Sequence, residues 1–287
     1  GGSRFFAPET RKDKKDLFGT FAKEKYDVVR TRDDLLKSKS KKILGTFSPG
    51  YIPYTIDRDQ DVEMQKKVPT LSEMSEVALS RFLDDDAPFL LQVEGARIDH
   101  AAHKNDIGAI LNEQMAFDDA VGKMLAMAGG HDDILVILTS DHGNANPGLN
   151  GTGAGYRQTN DHFAKIAQIK GSAEWFLQRW GQTKTKSGEE MSKLMEATYG
   201  FKPEPRELEA MMDRIAGKKV TEWSHQLSNP VGLLGQIVGN VTGVGWTGIC
   251  HTSDPTQLTS IGPGAEKFAG LVRNDSVRDR LLGLLLG

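Results

Sequence analysis

Cysteine is nearly absent: Cys250 stands alone in 287 residues, so an intrachain disulfide and a cysteine zinc finger are both excluded. That count leaves the redox compartment open. Long apolar runs are missing too, since a membrane-spanning helix needs about twenty such residues. The most apolar tail, Leu281 to Leu286, is short and interrupted by Gly283. Neither sign of charge dominates: Lys plus Arg is 36 and Asp plus Glu is 39, a net charge of -3. No strong field is available to hold nucleic acid or an anionic membrane. An anionic substrate therefore needs a local source of positive charge, and a metal is one. No initiator Met and no signal-peptide pattern opens the chain at Gly1-Gly2-Ser3-Arg4-Phe5-Phe6. A cloning scar and a start partway through a longer protein both fit that opening. There is no internal repeat and no low-complexity segment.

Hydrophobic content of 38% and charged content of 26% are ordinary for a globular protein. The length allows one or two domains with a sizeable core. Tyr26-Asp27-Val28-Val29 and Lys41 to Phe47 read as short strands, the second closed by Ser48-Pro49-Gly50. Thr70-Leu71-Ser72-Glu73 matches a capping box ahead of apolar residues at helical spacing. Phe89-Leu90-Leu91-Gln92-Val93 reads as a buried strand. Asp106 to Met127 reads as a helix, with Ile107, Ile110, Leu111, Met115, Val121 and Leu125 on one face. Ile134 to Thr139, apolar on both faces, predicts a central strand of a largely parallel sheet. Helix, strand, helix, strand from Thr70 to His142 is an α/β pattern. Gly143 to Gly155 is expected to be loop. From about 160 to 240 the chain is helical in character, with Trp175, Trp180, Met191, Leu194, Met195, Met211, Met212 and Ile215 as expected core, and sheet returns near Leu258 to Ile261.

Three motifs hold the chemistry. In Val93-Glu94-Gly95-Ala96-Arg97-Ile98-Asp99-His100-Ala101-Ala102-His103, Asp99 and His103 are four apart, so one helical turn puts both on one face. The stretch lies between a strand and a helix, at the sheet edge where ligands bind in open α/β folds. An oxygen donor and an imidazole so placed suit a zinc-type ion. Thr139-Ser140-Asp141-His142-Gly143 ends the strongest strand, where a carboxylate and an imidazole are costly to bury unless paired or metal-bound. Cys250-His251-Thr252-Ser253 supplies one more imidazole. Taken singly, each motif has a plainer reading: a helix-capping Asp, an Asp-His pair bonding its loop, a surface histidine. Taken together they supply ligands for two adjacent metals, the arrangement that clamps attacking and leaving oxygens in phosphoryl transfer. Glu94, five residues before Asp99, suits a hard-oxygen site for Mg.

The first motif resembles the alkaline phosphatase signature, Val-Glu-Gly followed by Ile-Asp and a His four residues on. The second is similar to that family's Thr-x-Asp-His at a strand end, and the third to its His-Thr-Gly, with Ser253 in place of Gly. Gly262-Pro263-Gly264-Ala265 follows as the family's Gly-Pro-x-Ala does, and Gly1-Gly2-Ser3-Arg4 resembles its mid-chain Gly-Gly-Gly-Arg. The resemblance covers residues 1 to 146 and 246 to the end. It implies an α/β fold with a central, largely parallel sheet flanked by helices, incomplete at the N-terminus and carrying a helical insertion. The resemblance leaves the intervening helical stretch unassigned; the expected organisation is a core over 1–149, a mainly helical insertion over 150–245 that is a candidate lid or crown, and the rest of the core over 246–287.

By the same resemblance, Asp99, His103 and His251 hold one zinc, Asp141 and His142 hold a second, and Glu94 binds magnesium. His100 is left to contact the phosphate or a water on the magnesium. The implied activity is phosphomonoester hydrolysis through a phosphoserine intermediate. No Asp-Ser-Ala-like nucleophile turn occurs in the chain; Asp275-Ser276 has the wrong order. The expectation is thus a C-terminal portion that supplies most metal ligands, is inactive alone, and forms a homodimer or associates with an N-terminal segment. Other readings are a phosphodiesterase, phosphomutase or sulfatase of the same superfamily, or a non-catalytic metal-binding fragment. A periplasmic or extracellular location is implied by the family alone.

Overall fold

Short-range signals in the chain start helices at Thr70, as expected, and also at Thr31, where no helix was expected. Thr31 and Thr70 each accept from the backbone of the third helical residue, while Asp34 and Glu73 accept from the cap's own N–H. These reciprocal bonds satisfy donors that a helix leaves orphaned. The computed structural model describes residues 1–85, 87–151, 153–220, 224, 227 and 229–285. Leu286, the end of the apolar tail, and a few positions of the helical stretch (152, 221–223, 225, 226 and 228) therefore lie outside the described residues.

The chain divides into two compact units: Gly1–Gly95 with Gln114–His131, and Ala96–Glu113 with Asp132–Gly287. In the first, helices α1 (Leu17–Lys23), α2 (Arg32–Lys37), α3 (Thr55–Arg58), α4 (Val62–Lys67) and α5 (Leu71–Leu83) accompany strands β1 (Asp27–Val29) and β2 (Ile43–Gly45). The two strands pair in parallel, Asp27 opposite Ile43 and Val29 opposite Gly45. Their core is Val29, Leu35, Phe47 and Val68, with Ile43, Ile52, Met74 and Val77 packed against it. Side chains of this kind contribute about 1.5–3 kcal/mol each when fully buried. Arg32 on α2 grips Glu73 on α5, so the capping carboxylate of one helix also ties it to another.

The second unit opens with α6 (Ala96–Ala102) and the first turns of α7 (Ile107–Ala128), whose remainder belongs to the first unit. It continues with β3 (Val136–Thr139), β4 (Gly143–Asn144) and β5 (Gly148–Leu149). Helices α8 (Thr159–Ala164), α9 (Ala173–Gln182), α10 (Gly188–Tyr199), α11 (Pro205–Ile215) and α12 (Pro230–Thr242) follow. Strands β6 (Val244–Gly245), β7 (His251–Thr252) and β8 (Leu258–Ile261), then α13 (Val277–Leu285), complete it. Trp180, Met191, Met195 and Met211 are buried as expected, joined by Phe176, Tyr199, Leu233, Leu234 and Ile237. Trp175, Leu194, Met212 and Ile215 are only half-buried.

The α/β class holds, and three local expectations change. Phe89 to Val93 forms no strand among the described residues, and Leu90 is exposed. An apolar run signals burial, but a strand also needs a neighbour to complete its hydrogen bonds. β3 is half exposed and pairs antiparallel with β8, Val136 opposite Ile261 and Thr139 opposite Leu258. The stretch from Gly143 to Gly155 is not all loop: β4 pairs with β7, and β5 with β6, both antiparallel. No helix is long and apolar enough to cross a membrane among the described residues.

Candidate metal centre

Small alanines line the sequence of α6, and its polar residues fall at helical spacing. The His103 N–H donates to Asp99 O at 3.0 Å, so the helical turn runs through His103 and sets both side chains on one face. The third imidazole arrives by tertiary pairing. β7 carries His251 and lies antiparallel to β4, with His251 directly opposite Asn144. β4 accommodates this pairing through Gly143, where an added Cβ would meet Thr252 Oγ1 at 2.6 Å.

One donor atom each from Asp99, His103 and His251 falls within 4.8 Å of the other two. His103 Nε2 is 3.0 Å from His251 Nε2 and 3.4 Å from Asp99 Oδ2, and His251 Nε2 is 3.6 Å from Asp99 Oδ1. Ligands about 2.0–2.1 Å from a tetrahedral ion lie about 3.3 Å from one another, so these separations fit such an ion. The tautomer fits as well. His103 Nδ1 lies 2.6 Å from the Ile249 carbonyl oxygen, which can only accept, so Nδ1 carries the proton and Nε2 presents its lone pair. Asn144 Nδ2 donates to Asp99 Oδ1 at 2.6 Å and to Asp99 O at 3.2 Å, fixing the carboxylate.

The other expected residues fall in different places. Asp141 Oδ2 is 3.2 Å from His142 Nε2, and the His142 ring stacks on His251 with centroids 3.5 Å apart. Asp141 itself is largely exposed, and its carboxylate is outside the three-donor group. Glu94 is exposed and belongs to the first unit. His100 is half-buried, and Arg97 Nη1 donates to its Nδ1 at 2.9 Å. Burial, and then the Arg97 cation, hold the His100 imidazole below its usual pKa.

Sequence reasoning missed Asn144, Arg97 and Glu174. Arg97 is buried, and its Nη2 donates to Glu174 Oε2 at 2.9 Å, while Lys104 also pairs with Glu174. Burial pushes the Glu174 carboxyl up, but Lys104 and Arg97 outweigh it and hold it below the usual range. These contacts tie α6, which carries Asp99, to the first turn of α9. Arg97 stood inside the first motif, yet nothing local links it to a carboxylate 77 residues on.

A family model described as alkaline phosphatase matches residues 3–285. The chain belongs to the alkaline phosphatase family. Alkaline phosphatase 4 of Bacillus subtilis (strain 168) is 29% identical over 276 residues, covering 96% of this chain and 54% of that protein. The repressible alkaline phosphatase of Saccharomyces cerevisiae is 38% identical over an alignment of 146 positions that covers 46% of this chain and 25% of that one. Among solved structures, alkaline phosphatase from Thermus thermophilus superposes with a TM-score of 0.88 at 33% identity, over 99% of this chain and 61% of its own. The chain thus spans about half the length of the Bacillus alkaline phosphatase it matches. It has the α/β alkaline-phosphatase fold.

Proposed function

We propose that this chain supplies metal-binding machinery for phosphomonoester hydrolysis by an alkaline phosphatase. The observation that carries the reading is the convergence of Asp99, His103 and His251 at separations suited to one zinc-type ion, with His103 already held in the metal-ready tautomer. Family membership adds the chemistry. A bound divalent ion supplies positive charge to a phosphoryl group, which a chain of net charge -3 does not provide from side chains in bulk.

The protein's own residues have separable tasks in this reading. Asp99 and the two imidazoles hold the ion, and Asn144 keeps one Asp99 oxygen oriented. Asp141 and His142 form the nucleus of a second zinc site, and Glu94 is assigned to magnesium. His100, kept neutral by burial and Arg97, is suited to donate a hydrogen bond to a phosphate oxygen or a water on the magnesium. The phosphoserine route of the family needs a nucleophilic Ser for which the 287 residues offer no candidate turn. We therefore propose that the purified chain binds metal but hydrolyses phosphomonoesters at or near background. The family reading also carries a periplasmic or extracellular location, testable by fractionating the native host. It carries a homodimer or association with a further N-terminal segment, testable by light scattering on a size-exclusion column.

The deciding experiment is a zinc titration of a mass-verified sample, with Asp99→Ala and His251→Ala beside it, followed by hydrolysis of p-nitrophenyl phosphate at alkaline pH. Zinc binding that either substitution weakens at least about 100-fold, with turnover near background, is the expected outcome. Equal zinc affinity in all three proteins would overturn the site. Chelator-sensitive turnover lost in His251→Ala would keep the site and overturn the proposed inactivity.

A further inference from the structure

We propose that Asn105 is a positioning residue for the Asp99–His103–His251 centre: it locks the segment leading into His251 onto the end of the helix that carries the other two donors. The proposal rests on the metal reading above. It adds a residue that touches none of the three donors.

The segment before His251 is fastened carbonyl by carbonyl. Asn105 Nδ2 donates to Gly248 O at 2.8 Å, His103 Nδ1 to Ile249 O at 2.6 Å, and the Ala145 N–H to Cys250 O at 2.9 Å. Thr247 returns two bonds, from its N–H and its Oγ1, to Ala145 O, each at 3.2 Å. Three consecutive acceptors are thus held by three different donors, and the next residue is His251. Of the three, Asn105 supplies the one side-chain donor that is not itself a candidate ligand.

Asn105 is placed by more than this bond. The Asp106 N–H donates to Ala101 O at 3.1 Å and the Asn105 N–H to Ala102 O at 2.9 Å, the paired bonds of a Schellman ending. That ending needs a left-handed residue, and Asn105 has φ 51. Glycine meets the backbone requirement with less strain, whereas Asn tolerates it and also supplies a donor. The donor side chain is 2% exposed and Gly248 is half-buried, so losing the donor removes a bond that ties this segment to the end of α6. On the far side α12 closes against it at Gly235, where an added Cβ would lie 2.5 Å from Asn105 Cβ. Asn105 is therefore wedged between α12 and the His251 segment, within the turn that ends α6.

Asn105→Gly keeps the left-handed backbone and removes the donor; Thr198→Val removes a buried hydroxyl that donates to Leu194 O at 2.7 Å and serves as a control for lost stability away from the centre. Three readouts separate positioning from stability. In the metal-free protein, hydrogen exchange over residues 248–252 is expected to accelerate by about tenfold or more in Asn105→Gly and to stay at the wild-type rate in Thr198→Val. In chelator-competition titrations, Asn105→Gly is expected to bind zinc about 10- to 100-fold more weakly, the usual effect of losing an outer-shell partner. The cobalt-substituted form is expected to show an altered visible absorption band, which a loss of global stability would not produce. Wild-type exchange and zinc affinity in Asn105→Gly would overturn the proposal, as would equal weakening in Thr198→Val. Wild-type zinc binding that His251→Ala leaves unchanged would overturn the metal reading instead; the exchange result would still decide whether Asn105 holds the His251 segment.

Discussion

Replacing Gly235 by Ala sets two effects of known sign against each other within the second unit. Gly235 lies inside α12, so Ala should stabilise the helix by about 0.8–1.0 kcal/mol through propensity alone. The structure opposes this, because the new methyl would sit 2.5 Å from Asn105 Cβ and 2.7 Å from Asn105 O. Carbon contacts are comfortable at about 3.5–4.0 Å, so a shift on the order of 1 Å is required. Asn105 cannot rotate away, since one of the clashing atoms is backbone and the other is its Cβ. Overpacking of this kind costs about 1–3 kcal/mol, and a backbone obstacle belongs in the upper half of that range. The net expectation is a loss of about 1–2 kcal/mol, or a melting temperature lower by about 2–8 °C. Gly181 on α9 provides the control, because a Cβ there meets nothing within 4 Å. Gly181→Ala, in the last turn of α9, should therefore show a propensity gain of up to about 1 kcal/mol with no opposing clash. Thermal unfolding of both variants, followed by circular dichroism, makes the comparison. Equal stabilisation of the two proteins would show that α12 does not approach Asn105 closely, and the account of the His251 segment would lose its far wall.

Two further outcomes follow from buried or paired groups. Ala145 is fully buried with φ 56, a left-handed conformation costly for a residue with a side chain. Ala145→Gly should stay within about 1 kcal/mol of wild type in chemical denaturation while Ala145→Val loses more than about 2 kcal/mol, and the reverse order would contradict the assigned backbone. The Glu174 carboxyl is held below the usual range, by Lys104 and Arg97 against the opposing effect of burial, so its folded pKa lies under its unfolded one. Its stabilisation is then present above about pH 4.3 and is lost as pH falls through the lower folded value. Glu174→Gln should fall short of wild type at pH 7 and approach it as acid protonates the carboxyl; a deficit that stays constant throughout an acid titration of the folded protein would refute the charge pairing.

What the sequence determined by itself was whatever depends on near neighbours. Thr70 and Glu73 meet because three residues separate them, and Asp99 and His103 share a face because four do. The helices of the 160–240 stretch follow from periodicity, and their buried methionines follow from the helices. Three motifs in a fixed order were enough to suggest the family, which the match over residues 3–285 then showed. Tertiary structure decided whatever depends on a partner far along the chain. His251 reaches His103 across 148 positions only because β7 pairs with β4, and that pairing also brings Asn144 to Asp99. Glu174 finds Arg97 and Lys104 through the packing of α9, and Asn105 finds Gly248 through a turn whose left-handed residue leaves no periodic trace. The failed strand at Phe89 to Val93 has the same origin. Apolar residues record that a segment seeks burial, whereas a hydrogen-bonded ladder exists only when another strand supplies the opposite donors and acceptors.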